Sequence, residues 1–349
     1  MSQSDLLLDP DCVDRPPFIP RPYVPAWWLP GPHAQTVAGR YLREATGVRY
    51  RRERIDTPDG DFVDIDFATI HGSRAPTPGD DAPIALVTHG LEGGSNAPYV
   101  LETCRALWDR GVRAVALNFR TCSGEPNRLA RFYHAGDTGD VGFVLDLLAE
   151  RFPGVPLAAV GYSLGGNVLL KYLGERGDQA RVRVAAGISI PFDLGAGADK
   201  LQSTAIGRTY TGVFIRPMKA KFRQKQHLLT DACDTERVLA ARSFREFDDA
   251  ATARLHGFNG ADDYYGRSSC AQFLPRIRVP TLIVHSVDDP FVPADAIPRD
   301  ALLTNPHLTA VITEQGGHVG FVAGPPWRPH FWAEAEAARF IAEGLKGGC

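Results

Sequence analysis

The sequence predicts an α/β fold: a mainly parallel sheet flanked by helices, with a helical cap inserted late in the chain. Three observations predict it. Short, uniformly apolar runs recur at Ile84–Thr88, 112–117, 157–160, 182–190, 280–285 and 308–312, as strands buried on both faces require. Helical patterns fall between them, at about 97–110, 137–151, 164–176, 294–303 and 329–345, and strand–helix alternation builds a parallel sheet. One interval, 192–275, carries helical, aromatic and charged sequence but no core strand, and reads as a cap over the carboxyl edge of the sheet. The expected division is an arm with a short helix at 1–48, an α/β core at 49–191 and 276–349, and the cap at 192–275.

Each element has its own local reason. Eight prolines between positions 10 and 33 (Pro10, Pro16, Pro17, Pro20, Pro22, Pro25, Pro30, Pro32) remove backbone donors, so the arm is neither helix nor central strand. Trp27 and Trp28 suggest that it lies against the domain surface, and a short helix is expected around 35–43. Val63, Ile65 and Phe67 alternate with acidic residues after the turn Thr57-Pro58-Asp59-Gly60, which reads as an antiparallel hairpin over 49–70 with one wet face. A Pro-, Gly- and Asp-rich surface loop follows at 73–81.

Bulk properties bound the function. The chain has 349 residues, 44% hydrophobic and 23% charged, with a net charge of −3, so no global pull toward nucleic acid is expected. Cys12, Cys104, Cys122, Cys233, Cys270 and Cys349 form no C-x-x-C pair, which argues against a structural metal or a disulfide scaffold. The start, Met1-Ser2-Gln3-Ser4-Asp5, has no basic region, Leu6-Leu7-Leu8 is too short for a signal core, and no stretch approaches a membrane span. The expected location is cytoplasmic.

The strongest chemical signal is Gly161-Tyr162-Ser163-Leu164-Gly165-Gly166, directly after one apolar run and opening a helix. That is the context of a nucleophile elbow: a serine on a tight strand-to-helix turn, with glycines small enough to let the two elements approach. A serine hydroxyl needs a neighbouring base. Of the ten histidines, His318 alone combines a loop after the last strand, glycine neighbours and a place downstream of a candidate acid. The acid is expected after the first strand beyond the cap, in Val287-Asp288-Asp289-Pro290-Phe291-Val292-Pro293. Asp289 is the candidate, rigidified by Pro290 and Pro293, and Asp288 is the alternative. The oxyanion hole is expected from the N–H groups of Leu164, at the helix start, and Leu91, in the loop after the first parallel strand. His89 and Arg120 read as structural hydrogen-bonding residues. Cys122 has no partnered base. The segment 208–223, with Tyr210, Phe214, Phe222, Arg216, Lys219, Lys221 and Arg223, reads as a solvated amphipathic face.

With these residues in place the chain resembles the YheT-like branch of the α/β hydrolases, the group that includes the eukaryotic ABHD proteins. The resemblance rests on Pro32-His33-Ala34-Gln35-Thr36, His89-Gly90-Leu91-Glu92-Gly93, Asn118-Phe119-Arg120, Ser123-Gly124-Glu125-Pro126-Asn127 and the elbow through Asn167. It continues with Phe247-Asp248-Asp249, Asp263-Tyr264-Tyr265, Asp288-Asp289-Pro290 and Gly317-His318-Val319-Gly320-Phe321. It implies a charge-relay triad on Ser163, Asp289 and His318, and activity on carboxylic esters without cofactor or metal. In eukaryotic relatives the substrates include phospholipids, and in fungal relatives the acyl group passes to an alcohol. Two departures stand out: the membrane anchor of the animal members is not read here, which weakens a phospholipase reading, and Thr121 stands where the family usually has glycine.

The expectation is therefore a serine hydrolase for short- to medium-chain or lipid-like esters, working through an acyl-enzyme on Ser163. An alcohol O-acyltransferase using the same residues, or a ligand-binding protein without catalysis, are the alternatives. The expected partner is a small-molecule or lipid-like ester; oligomeric state is not written in the sequence.

Overall fold

The computed structural model describes residues 18–43 and 47–346. Pro10, Pro16, Pro17, Cys12 and Cys349 lie outside the described residues. In chain order, the first elements are α1 (Pro32–Leu42), β1 (Val48–Asp56), β2 (Phe62–Ile70), β3 (Ile84–Thr88), α2 (Pro98–Trp108), β4 (Arg113–Asn118) and α3 (Gly139–Arg151). They are followed by β5 (Leu157–Tyr162), α4 (Leu164–Arg176) and β6 (Val184–Ile188). Six helices come next: α5 (Leu194–Ser203), α6 (Ala205–Leu229), α7 (Thr235–Ala240), α8 (Phe244–Phe247), α9 (Ala253–His256) and α10 (Ala261–Ser268). The chain closes with β7 (Thr281–Ser286), α11 (Arg299–Thr304), β8 (Leu308–Thr313), β9 (Val322–Ala323), β10 (His330–Phe331) and α12 (Trp332–Lys346).

Eight strands form one sheet in the order β1-β2-β4-β3-β5-β6-β7-β8. β2 runs antiparallel to both its neighbours, and every other pair is parallel. Alternation along the central strands divides the core. Leu86, Val115 and Ala159 join Val141 and Leu145 of α3 and Leu169 of α4 on one face. Ala85, Val87 and Val160 join Leu107 of α2 and Ile341 of α12 on the other. Burying each large aliphatic side chain contributes about 1.5–3 kcal/mol, so two filled faces hold the sheet between its helices.

The hairpin forms as expected, with Gly60 at φ 83° in its turn, but its acidic face is not wet. Asp64 and Asp66 are buried, because Arg52 and Arg54 of β1 pair with them and Asn118 of β4 reaches Asp66. Arg54 binds Asp64 through two hydrogen bonds of 2.9 Å, and Arg52 binds Asp66 through two of 2.8 Å. The helix expected at 294–303 is broken into a short 3₁₀ turn and α11 by Pro298, which offers no N–H. The helix expected from 329 begins only at Trp332, because His330 and Phe331 pair with β9. Ser189, at φ 52°, ends β6 earlier than its apolar run does.

The arm lies along the domain. Pro25 bridges Ala323, the Ala26 N–H donates to Val322 (2.9 Å), and the Trp28 ring N–H donates to Gly324 (2.9 Å). Trp27, by contrast, is 78% exposed. The six α-helices between β6 and β7, with the π-helical turn Asp248–Thr252 among them, hold their own small core around Phe222, Leu229, Val238, Phe247 and Ala251.

Candidate active site

Ser163 occupies the turn from β5 into α4, at φ 50° and ψ −122°. That is strained backbone for a residue with a side chain. Its N–H is held by Ile188 of β6 at 2.9 Å. The turn closes because its glycines lack Cβ atoms. A Cβ on Gly161 would stand 2.7 Å from the Gly165 carbonyl oxygen, and one on Gly165 would collide with the His89 and Thr88 carbonyls.

The structure brings Ser163, His318 and Asp289 into one row. His318 Nε2 lies 2.9 Å from Ser163 Oγ, and His318 Nδ1 lies 2.7 Å from Asp289 Oδ2. Asp289 is fully buried. Burial pushes its carboxyl up, but the His318 ring and its hydrogen bond outweigh that, so it stays below the usual carboxylate range. An ionised carboxylate only accepts hydrogen bonds, so Nδ1 carries the ring proton and Nε2 accepts from the serine hydroxyl. The other carboxylate oxygen accepts the N–H groups of Phe291 (2.7 Å) and Val292 (3.3 Å). The two aspartates are thereby separated: Asp289 meets the ring, while Asp288 accepts the Gly317 N–H at 2.9 Å and holds the loop.

Leu91 and Leu164 line the same cavity as Ser163 and His318. Among the described residues neither of their N–H groups meets an acceptor. A Cβ added to Gly90 would stand 3.1 Å from Ser163 Cβ, so the loop after β3 passes directly beside the serine. His89 donates to the Gly90 carbonyl (2.7 Å) and accepts the Phe119 N–H (3.2 Å), consistent with a structural ring. Burial lowers it to about 4, so it is neutral. Arg120 is buried in a fork on Asp140 (2.8 and 2.7 Å) and reaches Asp59 (2.8 Å) and Asp61 (3.0 Å), away from the serine row. Thr121 sits at φ 69°, a left-handed conformation that glycine adopts without strain, and its buried hydroxyl has no hydrogen-bond partner among the described residues.

Much of what holds the histidine loop escaped the sequence reading. The Thr36 hydroxyl, on α1, accepts the His318 N–H at 2.9 Å. Arg43 donates to the Val319 carbonyl (2.9 Å) and the Gly320 carbonyl (3.1 Å), Ser189 accepts the Val319 N–H (2.8 Å), and Ser286 donates to Gly317 (2.8 Å). Lys200 of α5 ties the Asp289 and Val292 carbonyls (2.7 and 2.8 Å), and the Phe291 ring packs 4.3 Å from the His318 ring. The one available signal was the stretch Pro32-His33-Ala34-Gln35-Thr36, whose physical role the sequence alone did not reveal.

The cavity holds about 150 Å³ and runs from Ser163 under the helices between β6 and β7. Most of its lining is apolar, including Leu201, Phe214, Met218, Phe244 and Phe247. The reading of 208–223 as a solvated face holds for Arg216 and Arg223, which are exposed, and fails for Phe214, Lys221 and the fully buried Phe222. Phe214 faces the cavity, and Lys221 turns inward to pair with Glu92 (2.9 Å) and touch Cys122 Sγ (3.2 Å). Inward packing of α6 against the core, invisible in a helix's own sequence, decides this.

A mostly parallel sheet with a serine elbow after its middle strand and a histidine beyond its last strand defines an α/β hydrolase. The alpha/beta hydrolase fold family matches residues 83–325. YheT of Escherichia coli, provisionally named an esterase, is 38% identical over 326 residues, covering 93% of this chain and 94% of its own. Human phospholipase ABHD3 is 30% identical over 311 residues, covering 89% of this chain and 76% of its own. The monoacylglycerol lipase of Saccharomyces cerevisiae is 29% identical over 351 residues, covering 88% and 78%. The solved Pyrococcus furiosus esterase Pf2001 superposes with a TM-score of 0.51 at 13% identity, covering 87% of this chain and 91% of its own, a likeness of fold alone. The chain belongs to the α/β-hydrolase family, in the branch that holds YheT and ABHD3. It is an enzyme of the carboxylic-ester hydrolase type. No helix among the described residues is long and apolar enough to cross a membrane.

Proposed function

We propose that this enzyme cleaves carboxylic esters through an acyl-enzyme on Ser163, with His318 as general base and acid and Asp289 as the group that fixes its tautomer. The single observation that carries the reading is the continuous row Ser163 Oγ–His318 Nε2–His318 Nδ1–Asp289 Oδ2, at 2.9 and 2.7 Å. As Ser163 Oγ bonds to the ester carbonyl carbon, its proton passes to Nε2 and the carbonyl electrons move onto oxygen. The Leu91 and Leu164 N–H groups, left without acceptors, are the donors for that oxyanion, and the N-terminal end of α4 adds its positive dipole. Collapse breaks the bond to the alcohol oxygen, which takes the proton from His318. Water then repeats the sequence on the acyl-enzyme, its proton going to Nε2 and returning to Ser163 as the acid leaves. The helices between β6 and β7 act as a cap, and the apolar lining favours acyl chains over small charged esters.

Hydrolysis of a p-nitrophenyl ester series by wild type and Ser163→Ala tests the reading. The expected outcome is a loss of at least about 10⁴-fold in kcat with an unchanged far-ultraviolet spectrum. Labelling by a fluorophosphonate should vanish in parallel. Retention of either would move the nucleophile elsewhere.

A further inference from the structure

The cavity wall carries a second group of polar side chains that ester cleavage at Ser163 does not use. His134 and His256 both line it, and their rings lie 4.4 Å apart. The Gly136 N–H donates to His134 Nδ1 at 3.1 Å, so in the neutral ring the proton sits on Nε2, which meets no acceptor among the described residues. His256 Nε2 is enclosed and likewise without a partner. Burial lowers both rings to about 3, with cationic neighbours such as Arg131 adding to it, so both are neutral. In the same cavity wall the buried Asp248 accepts from Tyr265 (2.8 Å) and Thr252 (2.6 Å).

This wall is built rather than incidental. Asn167, one turn of α4 beyond Ser163, donates to the Ala135 carbonyl (2.8 Å) and to Ser268 (2.9 Å), and the Ala135 N–H donates to Tyr264 (3.0 Å). The strip holding His134 is therefore pinned to the helix that carries the serine and to α10. Two stretches noted in the sequence, Phe247-Asp248-Asp249 and Asp263-Tyr264-Tyr265, meet here. An apolar channel needs no imidazoles, and the protein itself supplies no partner to His134 Nε2 or His256 Nε2 among the described residues.

We propose that His134 and His256 form a subsite for an uncharged oxygen, a keto, ether or hydroxyl group, carried on the acyl chain of the ester. The acyl part is assigned because it stays bound after the alcohol has left, and the same wall offers it the large buried side chains of Tyr264, Tyr265 and Phe247. A terminal carboxylate would have to leave water for two neutral rings, and a terminal ammonium is disfavoured by the surrounding cations Arg131, Arg120 and Lys225. The inference rests on the reading of Ser163 as the acylated residue.

The test pairs p-nitrophenyl alkanoates with oxo-alkanoates of equal length, the keto group being stepped along the chain, and adds one ω-carboxylate per length. In wild type, one keto position should raise kcat/KM about tenfold over the plain chain, one hydrogen bond's worth, and the carboxylate should be slower than both. His134→Leu should bring the oxo-to-plain ratio to about one. His256→Leu, which breaks no hydrogen bond within the protein, should lower the same ratio, and melting curves establish that each variant folds. Absence of a preferred keto position, a preference for the carboxylate, or a ratio unchanged in a folded His256→Leu protein each overturns the subsite. Failure of every ester, or full activity in Ser163→Ala, would instead overturn the acyl-enzyme.

Discussion

The two polar groups of the cavity wall, the Ser163 row and the His134–His256 pair, are held in different ways. Around Ser163 and His318, left-handed backbone adds to side-chain ties: Ser163, Val319 and Phe321 have φ of 50°, 53° and 44°, Gly161 and Gly165 leave no room for a side chain, and Thr36, Arg43 and Ser189 fasten the histidine loop. Around His134 and His256, side chains alone do the holding: Asn167, Tyr264, Tyr265 and Asp248 bridge segments in which no non-glycine residue has a positive φ, one of them the π-helical turn Asp248–Thr252. Backbone geometry of the first kind cannot drift without disturbing strands β3, β5 and β6 together. Side-chain bridges can be exchanged one at a time.

Paired glycine substitutions give the largest expected break in that comparison. Gly165→Ala forces a Cβ onto two carbonyl oxygens of the neighbouring strand and its loop, and should cost about 3 kcal/mol of stability as well as activity. Gly212→Ala, in the middle of α6 with nothing within 4 Å of the new methyl, should raise stability by about 0.5–1 kcal/mol. Chemical denaturation of both variants checks the sign. Similar losses in the two would mean that the inserted helices are as tightly determined as the elbow.

The next effect lies at Asp248 and depends on pH. Burial raises the Asp248 carboxyl from 3.8 to about 6. An acid raised in the folded state binds its proton more tightly there than in the unfolded chain. Its contribution to stability is full below pH 3.8 and lost as pH rises through about 6. Two units amount to about 3 kcal/mol at most. Asp248→Asn, which does not titrate, should melt above wild type at pH 8, and the difference should close by pH 4. Equal melting temperatures at both pH values would show that the carboxyl is not desolvated.

The same contrast explains what could be read from sequence. The elbow was legible because its motif is its geometry: small residues at 161 and 165 are the condition for the turn. The parallel strands were legible because burial on both faces demands unbroken apolar runs. Thr36 was not, since it reaches His318 across 282 positions of sequence, and nothing in a threonine announces a distant amide. The wet face assigned to Asp64 and Asp66 failed for a related reason. Alternation tells which residues share a face but not what covers it, and here the cover is Arg52, Arg54 and the loops beyond. Lys221 and Phe214 likewise took their direction from the core that α6 packs against.

Thr36 offers a smaller effect beside His318, where a side chain supplements the backbone. Thr36→Val keeps shape and removes the acceptor for the His318 N–H, leaving a partly buried donor unmet at about 1–3 kcal/mol. The loop keeps its ties to Arg43, Ser189 and Asp288, so the ring should be loosened rather than displaced. The expected result is about a tenfold fall in kcat with little change in KM, since misplacement of a proton-transferring group is felt in the chemical step. Restoration by Thr36→Ser would assign the loss to the hydroxyl.

The smallest effect separates strain that serves the site from strain that does not. Thr121 holds a left-handed conformation, which costs a β-branched residue about 1–2 kcal/mol, and buries its hydroxyl without a partner. It lines the cavity, yet no described group of the Ser163 row touches it. Thr121→Gly relieves both penalties and gives back part of the gain through the added freedom of the unfolded chain. The net should be about 1 kcal/mol of added stability, or roughly 2 °C in Tm, with kcat/KM for simple esters unchanged. A stabilised variant with lower activity would mean that this strained threonine, unlike Ser163, earns its place by contacting substrate rather than by holding the fold.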